Sequence, residues 1–100
     1  MTKAIHAVVS GAVQGVGFRQ GCRHRARSLD LVGWARNLDD GRVEVFAQGR
    51  DPSLAALLDW LWIGPSSARV AGVESDVVAT DSTLTDFFIQ PNPAPRNPSP

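Results

Sequence analysis

Gly11-Ala12-Val13-Gln14-Gly15-Val16-Gly17-Phe18-Arg19 marks the point where this chain changes its period. Before it, Ala4 to Ser10 alternates: Ile5, Ala7 and Val9 share one face, and His6, Val8 and Ser10 share the other. A period of two marks a strand with one face buried more deeply. After it, Phe18, Cys22, Ala26 and Leu29 fall on one helical stripe, with arginines over the rest of the surface. The run between them holds three glycines in nine residues. Glycine adopts backbone angles closed to other residues and lets a ligand approach the main chain. A tight loop here aims successive N–H groups at one point, which makes an anion-binding nest. The N-terminus of the following helix adds its partial positive charge. Arg19 sits in the first turn of that helix. Its planar guanidinium carries a fixed charge and grips two phosphate oxygens at once. Amides plus one arginine point to a small phosphate-bearing ligand.

Outward from the loop, Leu31 to Leu38 regains strand character, and Asp39-Asp40-Gly41 is turn chemistry. Arg42 to Gln48 alternates again, with Val43, Val45 and Ala47 against Glu44, Phe46 and Gln48, so the pair reads as a hairpin. Asp51-Pro52 opens a second helix, with Asp51 as N-cap and Pro52 at the first helical position. Leu54, Leu57, Leu58 and Leu61 form its buried stripe, and Gly64-Pro65 closes it. Arg69 to Val78 is a strand, extended or bulged at Gly72; Asp81 to Thr85 is a turn; Asp86 to Gln90 is a short final strand. The order is β-α-β-β-α-β plus a short fifth strand. This predicts an α+β, two-layer ferredoxin-like sandwich, with two helices on one face of a mostly antiparallel sheet. One domain is expected over residues 1–90. Residues 91–100 hold five prolines and no core-forming side chain, and read as a disordered tail.

Composition narrows the function. An apolar fraction of 43% supports a modest two-layer core. Net charge is zero but uneven: residues 1–50 hold eight basic and four acidic side chains, and residues 51–100 hold two and six. Arg19, Arg23, Arg25 and Arg27 cluster with His24, which reads as a positive field over one anion site plus a solvated helix face. The balanced total argues against a nucleic-acid partner. The single cysteine, Cys22, allows no internal disulfide, and with His6 and His24 it offers no metal-ligand spacing. No secretory leader and no membrane-length apolar run is seen. A cytoplasmic protein is expected.

The topology also predicts where a site lies. A strand, a crossover helix and a second strand run parallel, so their carboxyl ends meet at one edge of the sheet. The glycine loop, the start of helix one and Asn37 then converge there, where open sheets tend to bind ligands.

Two motifs carry a family likeness. Gly11-Ala-Val-Gln-Gly-Val-Gly-Phe-Arg19 resembles the first signature of the acylphosphatase family. Gly33-Trp-Ala-Arg-Asn37, followed by Asp39-Asp-Gly-Arg-Val43 and Gly49, resembles the second. Gly64-Pro-Ser-Ser-Ala-Arg-Val70 with Val73 is similar to the region after helix two, so the likeness covers residues 4–90. It implies hydrolysis of the carboxyl–phosphate bond of a small-molecule acyl phosphate, giving a carboxylate and inorganic phosphate. It implies no metal, no cofactor and no covalent intermediate. Arg19 matches the phosphate-binding arginine, and Asn37 matches the asparagine that orients the attacking water. The amides of Gln14, Gly15, Val16, Gly17, Phe18 and Arg19 match the phosphate cradle. The chain is expected to act as a monomer.

Other residues read as structural. Cys22 is a small core residue. Asp39 and Asp40 are turn carboxylates. Trp34, Trp60 and Trp62 are packing residues, and Ser66 and Ser67 lack a nearby base. Two rival functions remain: an anion-binding module without turnover, and a sheet-surface RNA binder. The second needs aromatics that strand three supplies only at Phe46.

Overall fold

The computed structural model describes residues 2–91, so all but Pro91 of the expected tail lies outside the described residues. Seven elements follow in order: β1 (Thr2–Ala12), α1 (Phe18–Ser28), β2 (Val32–Asn37), β3 (Val43–Arg50), α2 (Asp51–Ile63), β4 (Arg69–Val78) and β5 (Phe87–Ile89). The sheet runs β4-β1-β3-β2-β5. β3 lies between β1 and β2 and is antiparallel to both, so those two are parallel, as the crossover helix requires. β5 joins β2 in parallel, with Ile89 opposite Ala35. α1 packs on β2 and β5, and α2 packs on β1, β3 and β4, which gives the two-layer ferredoxin-like sandwich.

The period-two faces decide the core. Ile5, Ala7, Val9, Ala35, Val43, Val45 and Ala47 turn toward the helices and are buried, meeting Phe18, Cys22 and Ala26 of α1 and Leu54, Leu57 and Leu61 of α2. Fully burying one large apolar side chain is worth about 1.5–3 kcal/mol, so this interlayer set is the main source of stability. Phe18 and Trp60 link the two helices, their ring centroids 5.3 Å apart. Burial pushes the Cys22 thiol up to about 12 and keeps it protonated.

The opposite face of the sheet has its own lattice. Trp34 stacks on its cross-strand neighbour Phe46 with 6.0 Å between centroids, and the Arg36 guanidinium lies 5.3 Å above the Trp34 ring. Glu44 lies between two donors: His6 Nε2 donates to one of its carboxylate oxygens at 2.7 Å, and Arg36 Nε donates to the other. Burial would raise the Glu44 carboxyl, but the hydrogen bonds from His6 and Arg36 outweigh it and hold the group below its ordinary value. His6 is therefore structural.

Three expectations need adjustment. β3 runs into α2 with no loop, so Arg50 takes the N-cap place without a side-chain bond, and Asp51 lies inside the first turn. There it still suits the helix dipole, and it pairs with Lys3 at 3.4 Å. The irregularity expected at Gly72 is a bulge beside it: Ser10 pairs with Gly72 and Gly11 with Val70, which leaves Ala71 unpaired. Arg27 is not merely solvated. It clasps both oxygens of Asp86, at 3.2 and 3.0 Å, and also donates to the Phe87 carbonyl.

Candidate active site

The three glycines of the loop do different jobs. Gly11 has φ +121, and a methyl group there would fall 2.1 Å from the Arg69 carbonyl oxygen. It serves the close approach of β1 to β4. Gly15 and Gly17 have φ +75 and +80, with open space where a side chain would project. At these two positions the backbone angle alone calls for glycine.

Gly17 is the N-cap of α1, in the left-handed conformation, and among the described residues no side chain caps the helix. The first intrahelical bond shown runs from the Gly21 amide to the Gly17 carbonyl at 3.0 Å. The amides of Phe18, Arg19 and Gln20 thus have no partner within the helix. The first turn contains no acidic residue to neutralise them. These free donors and the dipole face a hollow of about 350 Å³ lined by Val13, Gly15, Gly17, Phe18, Arg19, Gln20 and Ile89. Val13 and Phe18 are buried, while Arg19 is half-buried. Among the described residues Arg19 makes no ion pair, whereas Arg27, Arg36 and Arg42 are all paired with carboxylates.

Of the expected cradle, Gly15, Gly17, Phe18 and Arg19 line the hollow. Val16 packs against the core, and the Gln14 side chain reaches the β2–β3 turn. Asn37 ends β2 on its buried, helix-facing side, in line with Gly33 and Ala35. Neither it nor any other residue of β2 lines the hollow, but β5, the strand paired in parallel with β2, does. Ile89, part of the wall, stands opposite Ala35, two residues before Asn37 on the same side. Asn37 is only 9% exposed, and its Oδ1 is buried with no hydrogen-bond partner among the described residues. An unmatched buried acceptor costs about 1–3 kcal/mol, so its retention calls for a reason.

Val13, Gln20 and Ile89 were not read as wall residues from the sequence. The only signal for Ile89 is the alternation of Phe87 and Ile89 about Phe88. The parallel docking of β5 on β2, which brings it to the hollow, has no local signature. Asp40 is engaged by Arg42, whose amide and guanidinium hold the carboxyl below its ordinary range, as a turn residue would be. Among the described residues no cluster of metal-ligating side chains is present.

Comparison with known proteins agrees with this fold. A family model described as acylphosphatase matches residues 5–89. An acylphosphatase of Pseudomonas paraeruginosa is 55% identical over 74 residues, 74% of this chain and 81% of that protein. The structure of an acylphosphatase from Coxiella burnetii superposes with a TM-score of 0.86 at 40% identity, covering 89% of this chain and 93% of that one. The crystal structure of the Bacillus subtilis acylphosphatase gives 0.84 at 31% identity, covering 90% and 99%. Family model, relatives and solved structures thus agree on a hydrolase of acyl phosphates, and the chain belongs to the acylphosphatase family.

Proposed function

We propose a division of labour within this site. Arg19 and the main-chain amides of residues 14–19 hold the phosphoryl group, and Asn37 holds the water that attacks it. The observation that carries the second half is the buried, unpartnered Oδ1 of Asn37 at the end of β2. A carboxamide offers a lone pair and N–H donors at neutral charge, which suits a fixed water. It is a poor base, so the water's proton goes to a phosphate oxygen of the substrate. An acyl phosphate has a good leaving group, so no strong general acid is needed. The work falls to preorganised donors around the transferring group and to the in-line placement of water. Nothing in this division requires a metal.

The substrate is a small acyl phosphate, and the protein acts as a cytoplasmic monomer. Among the described residues no helix is long and apolar enough to cross a membrane.

Phosphate release from benzoyl phosphate in the presence of a chelator tests the scheme. Turnover persists with chelator, and Asn37→Ala loses about 10²–10³ in kcat, the range for one well-placed transition-state contact. Affinity for inorganic phosphate stays near wild type. Wild-type turnover in Asn37→Ala, or hydrolysis abolished by the chelator, overturns it.

A further inference from the structure

We propose that Gln14 is a positioning residue whose side-chain amide fixes the phosphate loop to the stretch of backbone that carries Asn37. This rests on the water-holding role proposed for Asn37. Gln14 Nε2 donates to the Leu38 carbonyl at 2.8 Å and to the Arg42 carbonyl at 2.9 Å. Both partners are acceptors, so the amide must present its NH₂ end, and each of the two hydrogens has its own carbonyl. Leu38 directly follows Asn37. The Leu38 amide donates to the Arg42 carbonyl at 2.8 Å, so the two carbonyls belong to the pair that closes the β2–β3 turn.

The two bonds span 24 and 28 residues of sequence. Among the described residues no other hydrogen bond joins residues 13–17 to that turn. The cradle and Asn37 otherwise sit on separate elements: the cradle on the β1–α1 connection and Asn37 on β2. Their relative position passes through core packing and through this one side chain. Anchorage at the main chain of Leu38 leaves that side chain free of any role in the linkage. A carboxamide of glutamine length is what the gap holds. Its loss leaves the cradle intact and lets the turn shift against it. Misplacement by about 1 Å is enough to cost up to about 10²-fold in rate.

The test measures kcat with benzoyl phosphate and the inhibition constant of inorganic phosphate. Both are measured for Gln14→Ala and Gln14→Glu, each alone and combined with Asn37→Ala. Gln14→Glu keeps the volume and replaces both donors with acceptors, which separates lost bonding from lost packing. We expect kcat to fall about tenfold in both single variants. The phosphate inhibition constant should move by less than about twofold, which also reports an intact cradle. In the Asn37→Ala background the Gln14 changes should remove nothing further, because the group they position is gone. Wild-type kcat in the Gln14 variants overturns the proposal. So does a tenfold loss that persists in full without Asn37, or a phosphate constant that rises in step with the loss of rate. Wild-type turnover in Asn37→Ala alone is a different failure: it removes the water-holding role and this inference with it.

Discussion

The α-carbon of Gly33 lies directly against the carbonyl of Phe46 on the neighbouring strand: a methyl group at position 33 would fall 1.9 Å from that oxygen. With φ +147, Gly33 also occupies a conformation that side chains resist. Gly33→Ala therefore combines backbone strain with overpacking against main chain that cannot swing aside, and costs about 2–5 kcal/mol. Gly17→Ala faces strain alone, since nothing stands within 4 Å of its added carbon, and costs about 1–2 kcal/mol. Urea unfolding of both variants checks the order. Equal losses would show that conformation, not the Phe46 carbonyl, explains Gly33.

Among the described residues Arg19 is the one cation lining the hollow, and its geometry matters as well as its charge. Arg19→Lys keeps the charge but loses the planar fork, and Arg19→Ala loses both. A charge-assisted hydrogen bond is worth about 1.5–3 kcal/mol, so Arg19→Ala weakens phosphate binding by about ten- to a hundredfold and lowers kcat as well. Arg19→Lys falls between. Competition by inorganic phosphate against benzoyl phosphate measures this. Unchanged competition in Arg19→Ala would remove the residue from the phosphate contact.

How far the site could be read beforehand follows from the range of each interaction. The strand face of Ile5, Ala7 and Val9 and the helix stripe of Phe18, Cys22 and Ala26 are local periodicities, and they emerge as the two sides of the core. The meeting of the glycine loop with the end of β2 follows from connectivity alone, because a crossover helix makes β1 and β2 parallel. Arg27 is different: its partner Asp86 lies 59 residues away, and no local pattern links the two, so it reads as one more surface arginine. The second use of Gln14 is hidden in the same way, since its partners are backbone carbonyls, which every residue carries. Nor does sequence distinguish a satisfied Asn37 from one with a bare Oδ1. That is a property of burial, not of residue type.

Arg27 and Asp86 tie the end of α1 to the start of β5, the strand that supplies Ile89 to the hollow. Both side chains are about half exposed, at 48% and 62%, so solvent screens the pair and its coupling is at most about 1 kcal/mol. A double-mutant cycle with Arg27→Ala and Asp86→Ala should return a value in that range, shrinking at 1 M salt. Each single loss exceeds the coupling, because Arg27 also donates to the Phe87 carbonyl at 3.1 Å and Asp86 also accepts from the Phe87 amide at 2.7 Å. Zero coupling at low salt would mean that the ion pair adds nothing to the β2 ladder and the Arg27 bond to the Phe87 carbonyl in holding β5.

Glu44 makes stability depend on pH with a definite sign. Its carboxyl lies below the ordinary value of 4.5 in the folded protein, because the bonds from His6 and Arg36 outweigh burial. Between the folded and unfolded values the unfolded chain binds the extra proton, so stability there rises with pH. The contribution is complete above the unfolded value and is lost as pH falls through the lowered folded one. Asp40, Asp81 and Asp86 are lowered too, each by hydrogen bonds from its neighbours, and act in the same direction. Wild-type protein therefore unfolds at lower urea at pH 3 than at pH 6. Glu44→Gln keeps the shape of the side chain but has no titratable group. Its urea midpoint should be lower than wild type at pH 6 and should fall less between pH 6 and pH 3. An equal fall in the two proteins would place the acid sensitivity on the three aspartates and leave the His6–Glu44–Arg36 network with none of it.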